Sequence, residues 1–497
     1  MAANYERDLY RHNQELITEN EILRAKVARI EAETANKYQG IINRLEDALE
    51  AVMQKCNALE ERVAKLEAEN DRLRKQLNND SSNSSNPPSA DKKPNAPNTY
   101  NGRMKTGTKS GGQKGHTGKH LSCAAIEEKI AQGQIRRKIV NHGELKGAYT
   151  SKYVIDLKVE AIAVEHRFYG NTRIPLAFRP DVQYGDEIKA IVATLSGQGL
   201  VASNRIVDMI ASMSNGAVEL SDGTVYNFLT DFNAKAKGCI EAIKTKLLNN
   251  VILRVDQTGA RINAHNMYFS NYSDERHVLY TANQTKGKKA IDDDGILLRF
   301  AGTLVHDHNT VYYHYGTANG ECNVHLIRYL RANSENTHHH WSDDMIEFLL
   351  SVKKTKELAI AFRLVKFEQA DLDGYRKRYD DIVAAGFDAL KNTKSRFYKT
   401  EERRLLRRLK KYRDNHLLFA TGFSVPFDNN LSERDLRMLK TKGKVSGCFR
   451  SLQGAKVFAN LMTVIKTAIK QNVSPHAAIR SVFQEWTNSN GNDIIMT

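Results

Sequence analysis

No stretch of the 497-residue chain approaches the roughly 18 apolar residues that a membrane-spanning helix needs. The opening MAANYERDLYRHNQ also lacks the apolar centre of a signal peptide, so a cytoplasmic protein with no membrane partner is expected. Cysteine is scarce and scattered: Cys56, Cys123, Cys239, Cys322 and Cys448 make no paired framework and suit a reducing compartment. Acidic residues are outnumbered, 58 against 74 Lys and Arg, which leaves a formal charge of +16. That balance favours a polyanionic partner such as DNA, although a generally basic soluble protein would share it. A chain of this length exceeds one core and should divide into several domains.

Residues 1–77 read as a coiled coil. Leu59, Val63, Leu66, Asn70, Leu73 and Leu77 alternate in steps of four and three, which sets them on one helix seam. An earlier seam runs through Leu9, Leu16, Asn20, Leu23, Val27 and Ile30. Counting back from Leu59 through Cys56, Val52, Leu49, Leu45 and Ile42 arrives one residue out of phase with Ile30, so a skip or break is expected between Glu31 and Gly40. Asn20 and Asn70 in the seam favour a parallel, in-register dimer; an antiparallel hairpin bent at Gly40 is the alternative.

Residues 78–120 are rich in Ser, Asn, Pro and Gly and almost free of large apolar side chains, which marks a flexible linker. Its second half carries Lys105, Lys109, Lys114 and Lys119, suited either to a phosphate backbone or to plain solvation. Within 121–182, YVIDLKVEAIAVEHRFYG predicts a small strand-containing module. Only Cys123, His142 and His166 are available there, too few for a four-ligand zinc site. From 183 to 248 the pattern is helical, with Ser203 and Ser221 as expected N-caps and Gly216 in a turn. The pair resembles a helix-turn-helix in which Thr224 and Asn227 would face the major groove, though such helical pairs also serve other roles.

Three carboxylates stand out beyond residue 248. VILRVD is an apolar strand expected to end in Asp256, and RFAGTLVHD is another ending in Asp307, with fifty residues between them. A carboxylate on a buried strand is costly unless it meets a cation; a turn-capping Asp is the plainer reading. Asp292, Asp293 and Asp294 fall between the two in a polar stretch that reads as a solvated turn. Glu433, in PFDNNLSERDLR, opens a helix whose Arg434 and Arg437 could meet phosphates, or Arg437 could simply pair with Glu433 one turn away. Three acids of this kind suit a two-metal phosphoryl transferase, because Mg²⁺, with Mn²⁺ as a substitute, prefers carboxylate oxygens. The expected divisions are a core first part at 249–330, a helical basic insertion at 331–420 and a core C-terminal part at 421–497.

In that insertion, KNTKSRFYKTEERRLLRRLKKYRDNH holds eleven Lys and Arg against three acids. Phe397, Leu405, Leu406, Leu409 and Tyr412 can form a buried stripe, leaving Arg403, Arg404, Arg407, Arg408, Lys410 and Lys411 for a DNA backbone or for solvent. Cys322 and His325, three apart at a helix start, are either half of a zinc site or a packing Cys beside a capping or DNA-contacting His.

Several of these segments, read together, resemble the IS66 family of bacterial insertion-sequence transposases. SSNSSNPPSADK and GGQKGHTGKHL are similar to that family's linker signatures, VDQTG to its first-Asp segment, ECNVHLIRYL to its Cys-x-x-His segment, and PFDNNLSERDLR with GAKVFANLMTVIKTA to its Glu segment. The resemblance implies a multidomain α+β protein: an N-terminal coiled coil, a helical DNA-binding region, and an RNase H-like catalytic α/β core with a helical insertion. It assigns metal binding and DDE catalysis to Asp256, Asp307 and Glu433. A nucleoid-associated homodimer or larger assembly would bind element ends, cleave them and transfer strands, alongside small accessory proteins of the same element. The alternative is a catalytically inactive, sequence-specific DNA-binding regulator.

Overall fold

The computed structural model describes residues 2–78, 122–143, 147–174, 180–263 and 265–484. Helix α1 (Ala2–Asn78) is followed by α2 (Cys123–Ala131), α3 (Asp186–Gly197), α4 (Ser203–Met213), α5 (Asp222–Lys235) and α6 (Lys237–Leu248). Next come β1 (Ile252–Ile262), β2 (His265–Ser273), β3 (Val278–Asn283), α7 (Lys288–Asp294), β4 (Thr303–His306) and β5 (Ala318–Glu321). The chain then continues through α8 (Asn323–Thr337), α9 (Trp341–Ala361), α10 (Gln369–Ala389), α11 (Arg396–Lys411) and α12 (Arg413–Thr421). It closes with α13 (Asn430–Ser446), α14 (Leu452–Lys470) and α15 (Pro475–Phe483). The protein is thus mixed α+β, and no helix among the described residues is long and apolar enough to cross a membrane.

Two units divide the chain, residues 1–79 with 390–403 and residues 80–389 with 404–497. In the first, α1 is one uninterrupted helix, so the expected phase change between Glu31 and Gly40 does not break it. Backbone hydrogen bonds run from residue to residue within a helix and do not depend on the seam keeping its phase. Leu59, Val63 and Leu66 along that seam are exposed. In the second unit, the strands expected within 121–182 do not form among the described residues. No neighbouring segment supplies their hydrogen bonds, and Val154, Leu157 and Ile162 stay exposed. Helices α3, α4 and α5 close a small core of Val192, Ile206, Ile210, Val225 and Phe228. Ser221 caps α5 as expected, its hydroxyl accepting the Thr224 N–H at 3.1 Å. Ser203 does not cap: it is the first residue of α4, and Ala202 holds the cap position. Gly216 takes φ +78° in the intervening turn, a left-handed conformation that favours glycine.

The five strands lie in the order β3-β2-β1-β4-β5. β1, β2 and β3 are antiparallel neighbours, whereas β4 runs parallel to β1 and β5 parallel to β4. VILRVD does begin a strand, but β1 continues to Ile262, which leaves Asp256 in its middle and not at its end. The entry of β4 depends on Gly302: a Cβ there would stand 2.4 Å from the Val251 carbonyl oxygen. That close approach lets Thr303 N–H donate to Val251 O at 2.8 Å and sets the β1–β4 register. The acidic run is not a solvated turn either. It ends α7, and Asp294 accepts from Tyr272 Oη (2.6 Å), Thr281 Oγ1 (2.8 Å) and Asn283 Nδ2 (2.9 Å).

β3 is an edge strand, and α14 lies across it. Val278 N–H donates to Thr467 Oγ1 at 3.1 Å and Tyr280 N–H to Thr463 Oγ1 at 3.0 Å, both buried, while Thr467 Oγ1 returns a bond to Val278 O. Two threonines one helical turn apart therefore replace the missing strand and satisfy groups that would otherwise be orphaned. Thr467→Val keeps the shape and removes both bonds, and should lower stability by about 1–3 kcal/mol in chemical denaturation. Wild-type stability in that variant would show that the edge is satisfied in another way.

Candidate active site

The β1–β4 register pairs Arg254 with Val305. Two residues further on, Asp256 lies within β1 on the face of Arg254, while Asp307 is the first residue past the end of β4 and not its last, close enough for its charge to act on Asp256. Asn271 on β2 is the partner of Asp256 across the other side of β1 and shares that face. Over it lies the first turn of α13, which carries Glu433.

Several bonds hold that turn down. Asn271 Nδ2 donates to Ser432 Oγ at 2.6 Å and Asn429 Nδ2 to Val255 O at 2.9 Å, both inside the protein. Tyr280 Oη donates to Asp435 O at 2.7 Å, and Lys470 pairs with the Asp435 carboxylate at 2.8 Å. Asn429 N–H also donates to Cys322 Sγ at 3.2 Å, which ties α13 to the residue that caps α8. His325, one turn into α8, brings Nδ1 to 3.6 Å from Glu433 Oε1. The expected alternative, Glu433 paired with Arg437, gives way to this contact; Arg437 is exposed.

Asp256 is part-buried, and burial followed by the charge of Asp307 pushes its carboxyl up to about 7. Glu433 adds to the rise. The hydrogen bond accepted from Gln257 N–H at 2.7 Å and the charge of Lys440 oppose it. Among the described residues no Lys or Arg forms an ion pair with Asp256, Asp307 or Glu433. The three acids thus converge without a Lys or Arg ion pair, which makes them the candidate site.

Comparison with known families bears on this geometry. A model described as Transposase IS66 family matches residues 181–457, more than half of the chain and all three acids. The chain belongs to the IS66 transposase family. A second model, described as a family of unknown function (DUF6444), matches residues 7–122 of the transposase. No curated protein matches the chain.

The remaining residues singled out from the sequence are dispersed. Lys105, Lys109, Lys114 and Lys119 lie outside the described residues. Asn227 is exposed on α5, while Thr224 is half-buried and occupied with Ser221. Arg434 and Arg437 project from α13, and Arg403, Arg404, Arg407, Lys410 and Lys411 are exposed along α11. Of the expected stripe on that helix, Leu406 and Leu409 are fully buried. Arg408 departs from the expectation of DNA contact: its guanidinium turns inward onto Glu321 and lies over the Tyr329 ring. Glu321 is fully buried, and left without that guanidinium it would be a costly unpaired charge.

Glu321 went unnoticed in the sequence. At the end of β5 it accepts from His308 Nδ1 (2.9 Å), Tyr313 and Arg408, with His416 Nε2 at 3.2 Å. Burial alone would raise its carboxyl, but His308, His416 and Arg408 together hold it well below the usual glutamate range. It thus ties the loop after Asp307 to α11 and α12. One acid beside a Cys-x-x-His run carries no periodic signal, so nothing in the residue pattern marked it.

The raised value at Asp256 has a consequence for stability. Ionising that carboxyl in the metal-free protein disfavours the fold, so stability is fully present below the unfolded value near 4 and is lost as pH rises to about 7. Asp256→Asn should leave thermal stability unchanged near pH 4 and raise it above pH 7 by on the order of 1–3 kcal/mol in a chelator. A variant no more stable than wild type at pH 8 would show that the charge is compensated.

Proposed function

We propose that this transposase cuts and joins DNA by a DDE mechanism, with Asp256, Asp307 and Glu433 holding divalent cations on an RNase H-like core. The observation that carries this reading is the convergence of three carboxylates that form no ion pair with Lys or Arg among the described residues, one within β1, one just past the end of the parallel strand β4 and the third on the helix above them. The sheet order, three antiparallel strands followed by two parallel ones, supports the RNase H-like comparison.

The donor set fits hard divalent ions: the ligands are carboxylate oxygens, and Glu433 Oε1 is buried without a hydrogen-bond partner. Mg²⁺, or Mn²⁺ in its place, supplies activation of the attacking oxygen and charge relief on the phosphorus when bound. The chain's own residues do the rest. Asp256 gives up its proton as a ligand, so that below about pH 7 protons compete for it. Asn271, Asn429 and Tyr280 fix the first turn of α13, which holds Glu433 over the strands. Arg434, Arg437 and Lys440, exposed on α13, are placed to take phosphates beside the cut.

The other parts are proposals of the same kind. The exposed seam of α1 would close as a parallel coiled coil, giving a homodimer or larger assembly. Helices α3 to α5 would bind the element's ends in helix-turn-helix fashion, and α11 would run its basic face along a DNA backbone. Small accessory proteins of the same element and a place on the nucleoid complete the proposal.

Strand cleavage and joining on labelled DNA with the element's ends, in Mg²⁺ or Mn²⁺, tests the site. Asp256→Asn, Asp307→Asn and Glu433→Gln should each abolish joining while end binding persists. Wild-type protein that binds the ends and does no chemistry would favour a DNA-binding regulator, and joining by the Asp307 variant would exclude that residue. For α11, the double change Arg407→Ala with Lys410→Ala should reduce the slope of log affinity against log salt by about 2. An unchanged slope in fluorescence anisotropy would remove this helix from the interface.

A further inference from the structure

Two buried atoms on the candidate site face each other with nothing to bond to. Glu433 Oε1 and His325 Nδ1 are 3.6 Å apart, and neither has a hydrogen-bond partner. That separation is too long for a hydrogen bond and too short for a water molecule between them. Each orphaned atom is costly to bury unless something satisfies it. The spacing does suit two donor atoms on a single cation with bonds of about 2.1 Å.

We propose that His325 is a nitrogen ligand to the cation held by Glu433, giving the site a mixed oxygen and nitrogen donor set that favours transition ions such as Mn²⁺ over Mg²⁺. The inference rests on the reading of Glu433 as a metal ligand. Position supports it: His325 stands in the first turn of α8, and that helix start is fastened to α13 through Cys322 Sγ and Asn429 N–H. Burial lowers the imidazole below the ordinary histidine value, with Arg328 and Arg408 adding to the effect against Glu433 and Asp307. Imidazole is a poor ligand for Mg²⁺, which is satisfied by carboxylate and water, whereas first-row transition ions, Mn²⁺ least among them, accept a nitrogen donor more readily.

Cys322 Sγ belongs to the same cluster, its ligand atom within 4.8 Å of the other two. It takes a different part. It is fully buried and already accepts the Asn429 N–H at 3.2 Å. Asn429 in turn reaches Val255 O, beside Asp256. Cys322 is a positioning residue, and the ligand pair is His325 with Glu433.

The test uses the full chain without DNA, titrated with Mn²⁺ alone and with Mg²⁺ alone by calorimetry, and with bound Mn²⁺ read by pulsed electron paramagnetic resonance. Wild type should show nitrogen hyperfine coupling from one imidazole, and this readout needs no variant to fold. His325→Ala should lose the coupling and weaken Mn²⁺ binding about tenfold, with Mg²⁺ binding changed less than about threefold. His325→Gln serves if the alanine variant fails to fold, and Cys322→Ala, which loosens the α8–α13 contact without removing a ligand, should keep the nitrogen coupling. Bound Mn²⁺ with no nitrogen coupling, in a protein whose Glu433→Gln variant loses the ion, would overturn the His325 assignment and leave the carboxylate site intact. Coupling that survives Glu433→Gln would overturn the shared site, and wild type that binds no Mn²⁺ would overturn both. Loss of binding in Cys322→Ala, with tight Zn²⁺ in its place, would make this a thiolate site and overturn the proposed ligand pair.

Discussion

The parallel pairing of β1 with β4 is the constraint on which the candidate site depends. Adjacent strands stand about 4.8 Å apart, and the pairing of Arg254 with Val305 brings Asp307, just past the end of β4, close enough for its charge to act on Asp256. The register rests on the entry of β4 past Val251, where only glycine leaves room. Two carboxylates so close repel each other, and burial between helices and sheet keeps water from screening them. The cost appears at Asp256, which holds its proton to about neutral pH. The chain keeps an arrangement that weakens its metal-free fold, which is intelligible if cations complete it.

Glu433 reaches the pair from the far side of a long excursion, and contacts made at both ends of that excursion hold it there. Asn323 N–H donates to Phe427 O at 3.1 Å, and its side chain donates to His416 O at 3.0 Å. Cys322 meets Asn429, and Asn429 meets the strand that carries Asp256. The entropy of closing a long loop grows only slowly with its length, so a few buried hydrogen bonds suffice to return the chain to its starting point. Glu321 extends the same anchoring to α11 and α12 through Arg408 and His416. The helices of the insertion are therefore fastened to the loop that comes after Asp307.

What the sequence by itself determined was local. The apolar run VILRVD identified the start of β1, the apolar run before Asp307 identified β4, and the seam spacing identified the helical character of α1, though not its continuity past Gly40. These signals survive in the sequence because each is carried by neighbours a few residues apart. The expected module in 121–182 shows the limit of such reading: alternation without a partner strand leaves Val154 and Leu157 exposed and forms no sheet. The three acids were legible because each sits in a marked local setting, a strand or a helix start.

Only the tertiary structure decided their partners. That Arg408 turns inward to Glu321, that Asp294 gathers three donors, and that His325 faces Glu433 across more than a hundred residues all depend on which surfaces meet. Residue spacing along the chain carries no record of those meetings. Buried charges take whichever partner the packing brings within reach, since in a low dielectric an unpaired group is costly and the nearest opposite charge or donor prevails. Composition settled that the chain is basic. The fold decided which of the described basic groups turn inward, as Arg408 does onto Glu321.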